Sequence, residues 1–102
     1  GGEVGRVEES DLGRWRTMAA SRALVALADY AKKDVSFIPV KDAGTERWHT
    51  TVRGREFELL LTGTKFFDTR AEKGGGGAVD LASHLFATDF RGAVAYLRQK
   101  GL

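Results

Sequence analysis

Between residues 47 and 73 the chain interleaves cations with aromatic rings: Arg47, Trp48, Arg53, Arg55, Phe57, Lys65, Phe66, Phe67, Arg70 and Lys73. Guanidinium and ammonium groups hold a phosphate backbone electrostatically, and flat rings stack on unpaired bases. The mixture is therefore the chemistry of a surface that grips a single strand or a duplex backbone. Its six cations stand against Glu56, Glu58, Asp68 and Glu72, a local excess of two. A solvated sheet face with its rings turned to the core has the same composition, so both readings stay open. Directly downstream, Gly74, Gly75, Gly76 and Gly77 lead into a helical pattern. Glycines let backbone N–H groups approach an anion at the positive end of a helix, which makes the run a candidate anion-binding turn. A flexible strand-to-helix connection is the plainer alternative. The run is not a P-loop, because Ala78 and Val79 stand where Lys and Ser or Thr would follow.

The remaining chemistry is sparse. With no cysteine, the chain has no thiolate nucleophile, disulfide or thiolate metal site, and His49 and His84 are its only imidazoles. Neither lies in an HxxxH or HExxH spacing, so no metal and no cofactor is expected. Asp68, Glu72 and Asp80 form a possible carboxylate cluster near the glycines, although Asp80 in a first helical turn also stabilises the helix dipole. A hydrolase or metalloenzyme would need Asp68, Asp80 and His84 to converge in space. No Ser-His-Asp or paired-carboxylate spacing is present, and no catalytic residue is assigned.

These groups need a scaffold that 102 residues can build. That length fits one domain with a modest core. Sixteen Lys and Arg against fourteen Asp and Glu leave a net charge of only +2, which selects no partner by itself. A second basic stretch, Arg14 to Lys33, carries a local +4. No apolar run nears the roughly 18–20 residues of a membrane span, so the expectation is a soluble, cytoplasmic chain with no membrane partner. The Gly1-Gly2 start suggests a piece of a larger protein.

Residues 1–10 are glycine- and glutamate-rich without period, which predicts a flexible tail or linker before a single domain over 11–102. Leu12, Trp15, Ala19, Ala23, Ala26 and Tyr30, joined by Leu24 and Leu27, recur at helical spacing. With Gly13 weakening the first turn and Ser21 available as a second cap, they predict either one N-terminal helix to about Lys33 or a frayed turn followed by a helix over Ser21 to Ala31. Val35 to Val40 reads as a short extended or edge segment, and Lys41 to Gly44 as a loop. Trp48–Arg53 and Glu56–Thr62 flank Gly54 and Arg55 as a tight hairpin, and Lys65–Thr69 follows as a third strand. Val79, Leu81, Ala82, Leu85 and Phe86 predict a helix ending near Ala87. Thr88 then caps a last helix with Phe90, Ala93, Val94 and Leu97 on one stripe. The expected fold is α+β: a three- to four-stranded antiparallel sheet with an N-terminal helix and two C-terminal helices packed on one face.

The segment KFFDTRAEKGGGGAVDLASHLFATDFRGAVAYL, Lys65 to Leu97, resembles the second half of the zinc-binding domain of bacterial replicative primases. In that family an aromatic strand, a Cys-x-x-Cys knuckle and a Gly-rich turn precede an A-[IV]-D-[FL] helix and a short F-x-x-[AT]-V-x-x-L helix. The counterparts are Phe66 and Phe67, the glycine run, Ala78-Val79-Asp80-Leu81, and Phe90, Ala93, Val94 and Leu97. The helix with Leu24, Leu27 and Tyr30 resembles the helix that opens the family domain. Thr69 and Glu72 stand where the cysteine pair would be, and the upstream Cys/His pair falls near Trp48 to Thr51, so zinc is lost. Leu59, Leu60 and Leu61 are expected to replace it with a larger core. Such metal-free versions resemble accessory domains beside relaxase, primase or topoisomerase-primase modules of plasmids and integrative elements. The resemblance implies a non-catalytic module that contacts single-stranded or duplex DNA and neighbouring domains of a larger parent. Its contacts would be Arg47, Trp48, Arg53, Arg55, Lys65, Phe66, Arg70 and Lys73. A protein–protein interaction or spacer module without nucleic-acid contact is the alternative.

Overall fold

The computed structural model describes residues 7–102. Four helices and five strands follow one another as α1 (Glu9–Thr17), α2 (Ala20–Leu27), β1 (Tyr30–Lys33), β2 (Thr45–Val52), β3 (Arg55–Thr62), β4 (Lys65–Asp68), β5 (Lys73–Gly76), α3 (Gly77–Phe86) and α4 (Phe90–Gln99). Of the expected tail, residues 1–6 lie outside the described residues, while Glu9 and Ser10 open α1. Among the described residues no helix is long and apolar enough to cross a membrane.

The strands form one antiparallel meander in the order β1-β2-β3-β4-β5, two more than the hairpin and third strand legible in the sequence. Its centre is β2 with β3, where Thr50 pairs with Phe57 and Trp48 with Leu59. Side chains alternate between faces along a strand, so this register puts Phe57, Leu59, Leu61, Phe66 and Asp68 on one side. Arg47, His49, Glu58, Leu60, Lys65 and Phe67 stand on the other. The first side is covered by helices: Trp15, Leu24, Leu27, Leu81, Leu85 and Leu97 pack with Leu59 and Val52 into one core. No strand residue of the second side is buried. Leu60 therefore does not join Leu59 and Leu61 in the core.

Several boundaries differ from expectation for local reasons. The helix of Ser21 to Ala31 ends at Leu27, because the Asp29 amide donates to the Thr51 carbonyl at 2.9 Å and the chain enters the sheet as β1. The edge segment of Val35 to Val40 is instead a loop. Asp34 Oδ1 accepts from the Ser36 amide at 2.9 Å and its hydroxyl at 2.6 Å, an Asx turn that ends the strand. The β2–β3 turn is Arg53-Gly54, with φ of 50° and 79°, the two positive values of a type I′ hairpin. Asp89, not Thr88, caps α4 by accepting from the Gly92 amide at 2.9 Å.

Neither α2 nor α3 has a side-chain N-cap. The β3–β4 turn serves both, since the Ala20 amide donates to the Gly63 carbonyl at 2.8 Å and the Gly77 amide to the Thr64 carbonyl at 2.9 Å. This two-residue turn ties the layers together at one end of the sheet.

Candidate functional site

The register separates the expected contact residues. Arg47 and Lys65 lie on the uncovered face, whereas Trp48, Arg55, Phe66 and Lys73 belong to the helix-facing side. Arg47 is engaged, because its Nε and Nη2 donate to Asp34 Oδ2 at 2.9 and 2.6 Å and its guanidinium lies 5.1 Å from the Phe37 ring centroid. The Ser36 hydroxyl and Arg47 hold the Asp34 carboxyl far below the ordinary range. Trp48 is half-buried, with Nε1 donating to Glu46 at 3.1 Å, and Phe66 is only 6% exposed. Neither ring is a free stacking platform.

Arg53, Arg55, Arg70 and Lys73 share one end of the sheet, because the β2–β3 and β4–β5 turns fall there in a meander. All four are exposed and none of their side chains forms an ion pair among the described residues, although Asp29 Oδ2 accepts from the Arg53 amide at 2.7 Å. Arg53 lies 5.6 and 5.1 Å from the ring centroids of Phe86 and Tyr96, which stack on each other at 3.8 Å. Arg55 lies 5.1 Å from the Phe57 centroid. Arg55 and Lys73 line a concavity of about 580 Å³ between the sheet, α3 and the α3–α4 turn, together with Phe66, Asp80, Ser83, His84 and Thr88.

Under this concavity the buried Asp68 pairs with the half-buried His84. His84 Nε2 lies 2.6 Å from Asp68 Oδ2, while Asp68 Oδ1 accepts from the amides of Arg70 and Ala71 at 2.9 and 3.0 Å. Burial raises the Asp68 pKa, but the Ala71 amide, His84 and the Arg70 amide together outweigh it, and the carboxyl lies below its ordinary value. At neutral pH it is thus a carboxylate, and Nε2 of His84 is the donor. The His84 ring is held between Phe57 and Phe66, at 5.8 and 5.4 Å. Asp68 thereby shapes the β4–β5 turn and fixes the imidazole.

Of the three residues that a hydrolase would need together, Asp68 and His84 meet. Asp80 lines the same concavity but bonds to neither, its Oδ2 accepting from the Gly76 amide at 3.1 Å. Among the described residues no group of three or more His, Asp or Glu is arranged to hold a metal ion, and no serine hydroxyl bonds to His84. The glycine run is a correction to the expected turn. Residues 74–76 are strand β5, paired with β4, and the amides of Gly76 and Gly77 are already bonded to Asp80 and Thr64. Packing explains two of the glycines: a Cβ on Gly74 would lie 2.9 Å from the Phe66 carbonyl oxygen, and one on Gly75 3.0 Å from the Phe66 ring and 3.1 Å from Asp80, while Gly77 has a φ of 88°.

The uncovered face holds a second feature that sequence reasoning missed. A groove of about 690 Å³ runs between the β1–β2 loop and the sheet, walled by Phe37, Pro39 and Val40 over Leu60 and Phe67. Val35, Ile38 and Val40 are 91%, 81% and 94% exposed. The signal was the apolar run from Val35 to Val40 with Asp34-x-Ser36 before it, which marks a turn that projects the run outward.

No family model matches the chain, and no solved structure matches it. Among curated proteins the chain is similar to a "65 kDa protein" of Zymomonas mobilis subsp. mobilis, 32% identical over 95 residues that make up 93% of this chain. The chain spans about 15% of the length of that relative.

Proposed function

We propose that the chain is a non-catalytic, nucleic-acid-associated accessory domain of a conjugative or mobile-element DNA-processing protein, a metal-free relative of the primase zinc-binding domain that works in the cytoplasm beside other domains. The observation that supports this most is the group Arg53, Arg55, Arg70 and Lys73, four exposed cations on two adjacent turns whose side chains form no ion pair among the described residues. Unpaired cations at one end of a rigid sheet suit a phosphate backbone, whose counterions they release on binding. The contact set is narrower than the sequence suggested: Arg47, Trp48 and Phe66 are occupied within the domain, and Lys65 lies on the other face.

The test is a titration of the labelled domain with a short single strand and a short duplex, at low salt and at about 0.15 M. The expected result is salt-sensitive binding with shifts at Arg53, Arg55 and Arg70, lost when these are replaced by Glu. Unchanged affinity in that triple variant overturns the reading. The exposed Val35, Ile38 and Val40 favour a second reading, an interaction or spacer module. Absent DNA binding, together with a salt-independent contact through this loop, would select it.

A further inference from the structure

The concavity at the cationic end has more structure than backbone contact requires. It is bounded on three sides, by the sheet at Arg55, Phe66 and Lys73, by α3 at Asp80, Ser83 and His84, and by the α3–α4 turn at Thr88. Its volume of about 580 Å³ lies within the usual span of small-ligand clefts, about 300–1,000 Å³. The donors that line it are unspent. Neither the guanidinium of Arg55 nor the ammonium of Lys73 makes a hydrogen bond or ion pair among the described residues, and the hydroxyls of Ser83 and Thr88 have no partner there. Asp68 occupies Nε2 of His84, which leaves Nδ1 without a partner.

We infer that this concavity is a binding pocket for the phosphomonoester of a nucleotide, with Arg55 and Lys73 on the phosphate. The inference deepens the nucleic-acid reading and rests on it for the class of ligand. The charge argues for a monoester over an internal diester. A terminal phosphate carries about −1.5 to −2 at neutral pH and offers three oxygens to two cations that form no ion pair among the described residues, whereas a diester carries a single charge. The forked guanidinium of Arg55 gives two parallel donors to phosphate oxygens, and Lys73 adds a point charge. Asp80 is the one acidic group of the lining. It repels the phosphate toward the Arg55 and Lys73 side and has acceptor capacity for a sugar hydroxyl or a base N–H. The His84 ring, clamped by Asp68, Phe57 and Phe66, forms a rigid floor that needs no rearrangement on binding.

Two sources share this chemistry, the phosphorylated end of a strand and a free mononucleotide. The experiment compares a 5′-phosphorylated oligonucleotide with its 5′-hydroxyl twin, alongside a nucleoside 5′-monophosphate, on the full chain by chemical-shift titration. The expected result is about tenfold tighter binding of the phosphorylated strand, with saturable shifts at Ser83, His84 and Thr88. In Arg55→Gln and in Lys73→Gln that preference should fall to within about twofold, whereas Arg22→Gln, an exposed cation on α2, should retain it. Thermal unfolding of each variant separates lost folding from lost binding. Equal affinity for both strand ends in the unaltered chain overturns the pocket and leaves the backbone-contact reading in force. Saturable binding of the monophosphate without any strand binding supports the pocket with a free nucleotide as its source, and overturns the strand-contact reading. No binding of any of the three overturns both.

Discussion

Asp68 and His84 show how one pair of side chains can join three elements. The carboxylate accepts two amides of the β4–β5 turn and the imidazole of α3, so its removal loosens the turn and the ring together. Asp68→Asn keeps the shape but weakens these charge-assisted bonds. We expect a loss of about 1–3 kcal/mol at pH 7, read as a lower Tm in thermal unfolding. The pH dependence follows from the lowered pKa of this carboxyl. The unfolded chain takes up the proton near about pH 3.9, so the contribution is full above that value and disappears as pH falls through the lower folded value. The gap in Tm between the parent and Asp68→Asn should therefore close in acid; a gap that persists unchanged at pH 2 would assign the effect to packing. The sequence offered Asp68, Asp80 and His84 as possible neighbours. It could not tell which two would meet, because the pair closes across sixteen residues and depends on how α3 lies on the sheet. The Asp34–Arg47 pair was missed for the same reason. Asp34→Ala removes both the Asx turn and the ion pair, and faster amide exchange confined to residues 35–44 is the expected result; exchange that spreads through β2 and β3 would mean that the pair supports the sheet itself.

Strand β5 is the element whose composition argues most against its structure, since glycine disfavours strands. Two of its glycines are explained by what approaches them, the Phe66 backbone and Phe67 ring at Gly74 and the Phe66 ring and Asp80 at Gly75, whereas Gly76 has open space beside it, the nearest atom being 3.8 Å from a Cβ. The three positions should respond differently to alanine. Gly74→Ala forces a backbone atom to shift and is expected to cost about 1–3 kcal/mol, Gly75→Ala less where Phe66 can yield, and Gly76→Ala about zero. Equal losses at Gly74 and Gly76 in denaturant unfolding would indicate a purely conformational role for the run. The hairpin was legible because Phe57, Leu59 and Leu61 alternate with Glu58, Leu60 and Thr62 around a glycine turn, and that pattern survives folding intact. The edges were not. Tyr30 to Lys33 continues the helical spacing of Leu24 and Leu27, and only pairing with Trp48 to Thr51 makes it a strand. A helix reading of Ala28 to Ala31 is locally reasonable and loses to the sheet.

At the scale of the whole molecule the sheet separates two surfaces. The β2–β3 and β4–β5 turns carry Arg53, Arg55, Arg70 and Lys73 at one end, and the β1–β2 loop carries Val35, Ile38 and Val40 at the other. Segment by segment charge counting grouped Arg47 and Lys65 with the first set, because a sequence records proximity along the chain and a meander reverses it at every turn. Surfaces this far apart, with no shared partner, should be energetically independent. Replacing Val35, Ile38 and Val40 together by Ser changes side chains that pack on almost nothing, so stability should stay within about 0.5 kcal/mol. The apolar groove walled by Val40 should meanwhile take up less of a hydrophobic dye. Strand affinity of this loop variant should match the parent within about twofold, and the Arg53, Arg55 and Arg70 to Glu variant should bind dye as the parent does. Loss of strand binding on altering the loop would show that the nucleic acid spans the sheet from end to end, and the contact surface would then have to include Lys65 and Phe67 on the uncovered face. Independence of the two responses would instead leave the loop end free for a neighbouring domain while the cationic end holds its strand.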